Sequence, residues 1–187
     1  MRYIKKVIYF IINHIGMLFY SRKYVNKEYF DRYKDLASKW VLGGVIQQKI
    51  GRKNGNVPWP MSYKSTIVNP TNIEFCPEDI HIFQNPGLYI QANGKVVIGR
   101  GTIIGPNTGI VSANHNLNNF DVHDEPEDVV IGERCWIGMN CSILPGVHLG
   151  KHTIVGAGSV VTKSFPDGNC IIAGVPAKVI RRLEENS

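Results

Sequence analysis

The stretch IGERCWIGMNCSILPGVHLGKHTIVGAGSVVTKSFP, residues 131–166, divides into six consecutive units of six residues. The first position of every unit is aliphatic, the second is Gly in four units, and the fifth is small or β-branched in five. A period of six matches neither the roughly 3.6-residue period of a helix nor the unbroken alternation of a long strand. It predicts a short strand and a corner, repeated, so that three units form one coil of about 18 residues and successive coils stack.

The repeat also predicts which side chains are buried. The aliphatic first position would point into the coil, the small fifth position would fit beside it, and Gly would relieve the backbone at each corner. Cys135 and Cys141 both occupy fifth positions, and the chain has no CxxC spacing. Burial as small apolar side chains therefore explains these cysteines better than metal or redox chemistry. Trp136, at a sixth position, is expected to point outward.

Residues 67–182 resemble the left-handed β-helix of the hexapeptide-repeat acyltransferases. The ending GNCIIAGVPAKVIRRL, residues 168–183, is similar to the close of the maltose/galactoside and polysaccharide O-acetyltransferase branch. The resemblance implies an all-β solenoid, namely a left-handed parallel β-helix with an N-terminal α-helical extension and a protruding loop. It also implies a homotrimer with active sites between subunits. The handedness follows from the resemblance, because the spacing alone gives only the repeat.

The chain of 187 residues has room for one repeat domain, residues 67–187, and a basic N-terminal extension with a linker, residues 1–66. The extension holds 13 Lys and Arg against 3 Asp and Glu, whereas the repeat domain holds 8 against 12. This asymmetry suggests an anionic neighbour, such as a membrane surface or a phosphorylated carrier, although a solvated basic surface explains it equally well. No nucleic-acid partner is expected.

Residues 2–20 are first basic and then apolar, which predicts an amphipathic helix. The apolar run is shorter than the roughly 20 residues that span a membrane, and no small-residue cleavage site follows it. The helix is expected either to pack on the protein or to lie on a membrane surface. The expected location is cytoplasmic, with peripheral association at the inner face of the membrane left open.

A second helical pattern covers residues 27–50, and the Gly43–Gly44 pair is expected to interrupt it. The composition of residues 51–60 indicates a connector. Further along, Ile110 and Ile131 are 21 residues apart, which is not a multiple of six. An acidic, polar insertion is therefore predicted at about residues 116–130, and such exposed loops tend to carry function.

His115, which ends the last regular unit before the insertion, is the candidate catalytic residue. The resembled family places its general base at a matching position, at the root of the protruding loop. A neutral imidazole can accept a proton from a hydroxyl that attacks a thioester. The group that orients His115 is left open between a backbone carbonyl and four carboxylates: Asp121, Asp124, Glu125 and Glu127. An oxyanion donor is expected, by resemblance, from a backbone N–H near Ser142.

The family resemblance implies acetyl-CoA as co-substrate and no metal. Small residues would let the pantetheine arm approach the coils, although repeat corners need Gly regardless, and basic residues would hold the CoA phosphates. The candidate cofactor-binding residues are Ser142, Ala157, Gly158, Lys163, Lys178 and Arg181, with Arg182 nearby. The candidate acceptor-binding residues are Asn85, Asn93 and Asn114. Asn93 stands where the maltose/galactoside branch has Asp, so the acceptor preference is expected to differ.

The sequence thus predicts an acetyl-CoA-dependent O-acetyltransferase that acetylates a sugar hydroxyl, in surface polysaccharide biosynthesis. Alternative acceptors are serine, an antibiotic hydroxyl or an amino sugar. A different class is a γ-carbonic-anhydrase-like zinc enzyme on the same fold, for which the histidines available are His81, His115 and His123. A non-catalytic scaffold is the third alternative, and the presence of His115 disfavours it.

Overall fold

The structure is a computed structural model that describes residues 2–184, so the last three residues of the predicted repeat domain lie outside it. Three helices come first, α1 (Arg2–Phe19), α2 (Lys27–Tyr33) and α3 (Asp35–Gly44), and a π-helical segment (Val45–Ile50) continues the last of them. Two 3₁₀ segments, Pro70–Asn72 and Pro77–Gln84, lie among the first strands. The strands are β1 (Thr66–Val68), β2 (Ile73–Phe75), β3 (Tyr89–Gln91), β4 (Val96–Ile98), β5 (Ile103–Ile104), β6 (Gly109–Val111), β7 (His115–Asn116), β8 (Asn119–His123), β9 (Val129–Ile131), β10 (Trp136–Ile137), β11 (Ser142–Ile143), β12 (His148–Leu149), β13 (Thr153–Val155), β14 (Val160–Val161), β15 (Cys170–Gly174) and β16 (Ala177–Arg182).

Three sheets of parallel strands share the repeat region. Sheet A has the order β1-β3-β6-β11-β14, sheet B the order β12-β9-β4-β2, and sheet C the order β16-β15-β13-β10-β5. From β4 onward the chain visits B, C and A in rotation, so each turn consists of three short strands and three corners. The antiparallel strand β16 pairs with β15 and covers one edge of sheet C. The predicted parallel coil is therefore present.

Aliphatic columns fill the interior, one column behind each sheet. Each member pairs with its equivalent in the next coil, and all are almost fully buried. Full burial of one such side chain contributes roughly 1.5–3 kcal/mol. The columns are Ile90, Ile110, Ile143 and Val161 behind sheet A; Ile98, Ile131 and Leu149 behind sheet B; and Ile104, Ile137, Val155 and Ile172 behind sheet C.

The fifth-position side chains are buried beside these columns, as predicted. The thiol of Cys135 lies 3.3 Å from the carbonyl of Gly150, and the thiol of Cys141 lies 3.2 Å from that of Gly156. Burial raises the pKa of both thiols, so they stay protonated and can donate to these carbonyls. Trp136 is exposed, which confirms its predicted outward orientation.

The second-position glycines are required for a reason other than the one predicted. None of Gly132, Gly138, Gly150 and Gly156 has a positive φ. Instead, a Cβ atom on Gly138 would lie 2.6 Å from the backbone nitrogen of Ala157 in the next coil. The left-handed backbone occurs at the fourth position of five consecutive units, in residues of mixed type: Arg134, Asn140, Gly146, His152 and Gly158.

The expected interruption at Gly43–Gly44 is wrong. The helical backbone continues through both glycines, and the break falls at Lys34, whose φ is 47°. Gly44 is buried directly against Tyr20, whose hydroxyl donates to Oε1 of Gln48 at 3.0 Å. Gly is needed there because α1 and α3 approach closely, as they also do where Gly16 faces Val41.

Aromatic rings attach the helices to the first coils. Tyr24 stacks on Phe75 with ring centroids 5.0 Å apart, and Trp59 contacts Tyr24, Phe75 and Phe83. Offset and edge-to-face ring pairs of this kind each add about 0.5–1.5 kcal/mol to the burial of their area. Within residues 2–184, no helix combines the length and apolar character needed to cross a membrane.

Contact between coils predicts that substituting two different glycines by Ala will change the free energy of unfolding by different amounts. Gly138→Ala should lower the free energy of unfolding by about 1–3 kcal/mol, because the new methyl group meets backbone atoms of the next coil. Gly109→Ala is the matched control, since a Cβ there would have no atom within 4 Å and its φ is not positive. Chemical denaturation of both variants measures the difference. Equal stability of the two variants would contradict the close-approach explanation.

Candidate active site

The chain leaves the coil after strand β6 and returns at strand β9. The backbone N–H of Glu127 donates to the carbonyl of Ser112 at 2.8 Å, which closes the neck of this excursion. Within it, β7 and β8 form an antiparallel hairpin. The insertion was predicted at about residues 116–130, but it begins earlier and ends before Val129, because Val129 and Val130 already pair with β4.

His115 stands at the start of this hairpin and is exposed. Its Nδ1 lies 2.8 Å from the backbone carbonyl oxygen of Phe120. A carbonyl can only accept a hydrogen bond, so this contact places the proton of the neutral ring on Nδ1 and the lone pair on Nε2. Of the orienting groups left open by the sequence, a backbone carbonyl makes the contact.

The side chain of Asp124, one of the four candidate carboxylates, has another partner. Its Oδ1 accepts from Nδ2 of Asn116 at 2.8 Å. The backbone N–H of Asp124 donates to the carbonyl of Asn114 at 3.0 Å. The side chain of Asn114, the residue before His115, is exposed. These contacts brace the hairpin on either side of the imidazole.

Asn93 and His115 belong to the corner that joins sheet A to sheet B, in consecutive coils. The backbone N–H of Gly94, the residue after Asn93, donates to Oγ of Ser112 at 2.9 Å. The side-chain oxygen of Asn93 accepts from Nδ2 of Asn69 at 2.8 Å. The structure therefore brings the Asn93 corner against the root of the hairpin.

Asn85 lies at the other end of the strands of sheet A, at the corner before strand β3. Its Nδ2 donates to the carbonyl of Ile104 at 2.6 Å, and its own carbonyl accepts from the hydroxyl of Ser65 at 2.9 Å. The side chain is half-buried and held in place. Asn85 and His115 thus flank the outer face of sheet A from its two sides.

The outer face of sheet A carries two residues that the sequence reasoning missed, Tyr89 and Gly109. They pair with each other across β3 and β6, and Gly109 pairs on its other side with Ser142. Tyr89 is 42% exposed, and Gly109 leaves open space where a side chain would stand. The signal was present in the unit IGPNTG, where Gly occupies the sixth, outward-pointing position that holds larger residues in its neighbours.

Ser142, Ala157 and Gly158 lie on sheet A or at the corner before it. Ala157 and Gly158 are exposed, and Gly158 has nothing within 4 Å of a Cβ position, so a thin ligand can approach the backbone there. The N–H of Ser142 donates to the carbonyl of Ser159 at 2.9 Å. That N–H is therefore committed to the sheet and cannot also stabilise an oxyanion, whereas the half-exposed hydroxyl of Ser142 lies on the outer face.

The predicted basic residues divide between two faces. Lys163 is exposed after strand β14, and its Nζ lies 5.8 Å from the ring centroid of Phe165. Lys178 and Arg181 are exposed on β16, at the edge of sheet C. Arg181 lines an open groove of about 530 Å³ together with His152, Ile154, Arg182, Leu183 and Glu184. The predicted CoA contacts of the single chain therefore do not meet in one cavity.

The histidines considered for zinc are separated by their contacts. Nδ1 of His81 lies 3.2 Å from the hydroxyl of Tyr33, on the helical side of the molecule, and burial lowers the pKa of His81. The side chain of His123 lies outside the described part of the structure. Among the side chains that are described, no group of three or more His, Cys, Asp or Glu residues is placed to hold a metal ion.

The chain folds a six-residue repeat into a three-sheet coil. Residues 128–163 match the family model described as bacterial transferase hexapeptide (six repeats). The chain is also 40% identical over 108 residues to the putative acetyltransferase YJL218W of Saccharomyces cerevisiae, an alignment that covers 56% of this chain and 55% of that protein. These matches confirm the resemblance to the hexapeptide-repeat acyltransferases that was predicted from the sequence.

One further curated protein and one solved structure are similar to this chain. The chain is 38% identical over 115 residues to the putative lipopolysaccharide biosynthesis O-acetyl transferase WbbJ of Escherichia coli, which covers 55% of this chain and 58% of that protein. A solved galactoside acetyltransferase in complex with coenzyme A aligns with a TM-score of 0.52 and 29% identity, over 65% of this chain and 64% of that one. The chain thus spans little more than half the length of the two curated relatives, YJL218W and WbbJ.

The contact between His115 and Phe120 predicts the tautomer of the imidazole. The neutral ring of His115 should carry its proton on Nδ1, because the partner is a carbonyl oxygen. Nitrogen-15 NMR of the labelled protein at alkaline pH reports which nitrogen is protonated, and a His115→Gln variant assigns the signal. A neutral ring protonated on Nε2 would contradict this geometry.

Proposed function

We propose that the protein is an acetyl-CoA-dependent O-acetyltransferase that acetylates a sugar hydroxyl during surface polysaccharide biosynthesis. The observation that carries the proposal is His115, held by the Phe120 carbonyl at the root of an exposed hairpin. The similarity to WbbJ and to a galactoside acetyltransferase that binds coenzyme A supports the acceptor class and the co-substrate.

In this mechanism Nε2 of His115 accepts the proton of the acceptor hydroxyl as the hydroxyl oxygen attacks the thioester carbonyl carbon. The tetrahedral intermediate collapses with cleavage of the carbon–sulfur bond, and the imidazolium returns the proton to the departing thiolate. The Phe120 carbonyl keeps the ring in the orientation and tautomer that both steps need. The remaining acceleration comes from holding two substrates together and from stabilising the oxyanion, for which the Ser142 hydroxyl is our candidate donor.

Acetyl-CoA fits the surface described above. The exposed Ala157–Gly158 corner and the bare position of Gly109 leave room for the narrow pantetheine arm. Lys163 extends from the next corner, and Lys178 and Arg181 offer cationic groups for phosphates beside an open groove. Asn93 and Asn114 lie at the corner that carries His115, and Asn85 lies across sheet A from it. The amide groups of all three are suited to sugar hydroxyls.

The proposal includes a left-handed coil and a cytoplasmic homotrimer, as in the resembled family. The outer face of sheet C supports the assembly, because Ile103, Trp136 and Ile154 form one apolar ladder across adjacent strands. Ile103 and Trp136 are each more than half exposed in the single chain. A neighbouring subunit on such a face would also unite the CoA contacts that lie on different faces of one chain.

Substitution of His115 tests the proposed base. His115→Ala should lower kcat/KM for acetyl transfer by about 10²–10⁴-fold, the usual contribution of a general base. His148→Ala is the matched control, because His148 is also exposed at a sixth position but lies on sheet B. Thiol release from acetyl-CoA is measured with nucleotide sugars, oligosaccharides, serine, aminoglycosides and amino sugars as acceptors. Equal turnover by His115→Ala and wild type, or no turnover by wild type with any acceptor, would overturn the proposal.

A second substitution tests the phosphate contacts. Arg181→Ala should reduce the preference for acetyl-CoA over acetyl-dephospho-CoA by about tenfold, because the variant loses a charged hydrogen bond to the 3′-phosphate. Arg134→Ala provides the control, since it removes an equal charge from an exposed corner outside the groove. The ratio of kcat/KM for the two co-substrates is the readout. An unchanged ratio in Arg181→Ala would place the phosphate elsewhere.

A further inference from the structure

The exposed half of helix α1 is apolar. Among residues 7–19 of this helix, seven side chains are exposed, and only His14 among them is polar. The others are Val7, Ile8, Phe10, Ile11, Leu18 and Phe19. A helix on a protein surface ordinarily presents polar residues to solvent, so this face is designed for contact with something other than water.

The packed side of α1 is narrow by comparison. Ile12 and Gly16 are buried, and Gly16 lies against Val25 and Val41. The exposed apolar residues occupy the opposite half of the helical turn. His14 is the polar exception; its Nδ1 lies 2.8 Å from the carbonyl of Phe10, one turn earlier, and its ring lies 4.1 Å from the Phe10 ring. The apolar face therefore extends almost without interruption along the helix.

Basic residues flank this face along the chain. Arg2, Lys5 and Lys6 belong to the first turns of α1, and Arg22 and Lys23 follow its end. The first acidic residue of the chain is Glu28. Apolar residues flanked by basic ones match the lipid surface of an anionic bilayer, in which acyl chains lie beneath negative headgroups. A second copy of the chain would bring like charges together at this face.

We infer that α1 lies in the plane of an anionic membrane surface, with Phe10 and Leu18 among the side chains that enter the boundary between headgroups and acyl chains. The helix does not combine the length and apolar character of a span, so its binding is interfacial. The inference rests on α1 alone and not on acetyl transfer, so it stands or fails independently of the proposed activity.

Vesicle sedimentation of the full chain tests this inference. Wild type should bind vesicles that contain phosphatidylglycerol, bind vesicles of pure phosphatidylcholine much less, and lose affinity as salt is raised. The double variant Phe10→Glu with Leu18→Glu should bind at least about tenfold more weakly. Phe120→Glu with Leu117→Glu is the matched control, because these side chains are 72% and 85% exposed, against 64% and 80% for Phe10 and Leu18.

The control variant distinguishes vesicle binding through α1 from a general effect of exposed apolar side chains. It should bind vesicles as wild type does, and circular dichroism should show that both double variants remain folded, since all four side chains are exposed. Arg22→Glu should weaken binding to anionic vesicles alone. Absence of vesicle binding by wild type would overturn the inference, and so would equal losses in the two double variants. Light scattering that shows α1-dependent self-association without vesicle binding would instead assign the face to a second copy of the chain.

Discussion

Close backbone contact between successive coils is the constraint on which the structure depends. Gly99, Gly132 and Gly150 form one column, and a Cβ atom on any of them would overlap the backbone of the following coil. Short strands of two or three residues make few hydrogen bonds each, so the coil needs neighbours at this distance on both sides. The aliphatic columns bury their surface only because the glycines allow the coils to approach.

The candidate active site lies at a corner where this regularity is interrupted. The hairpin that carries His115 replaces the ordinary corner between sheets A and B, and its neck is closed by the backbone hydrogen bond from Glu127 to Ser112. The coil on either side stays in register, since Ile131 pairs with Ile98 as though nothing intervened. A rigid coil can thus hold an exposed loop at a fixed place, so that His115 lies beside the outer face of sheet A.

The sequence predicted what periodicity controls and missed what depends on distant contacts. The inward positions of Ile137 and Cys141 followed directly from the six-residue spacing. The role of Gly138 did not, because a pattern along one chain does not report how near the next coil lies. Gly44 was misinterpreted for the same reason, since its neighbour Tyr20 is distant in sequence. The partner of His115 was left open because four carboxylates and a carbonyl all lay within reach until the hairpin register selected Phe120.

The helical extension is joined to the coil in a way that fixes its orientation. Asp79 is buried, and its Oδ2 accepts from the backbone N–H of Gly101 at 2.7 Å, at a corner of the coil. Arg32, on α2, approaches the other oxygen of the same carboxylate at 3.8 Å. With the hydroxyl of Tyr33 donating to the carbonyl of Glu78, these contacts clamp α2 against the first coils from a second side, beyond the aromatic cluster around Trp59. Two separate attachments prevent rotation about either one, so any surface that binds α1 also sets the direction in which the His115 hairpin faces.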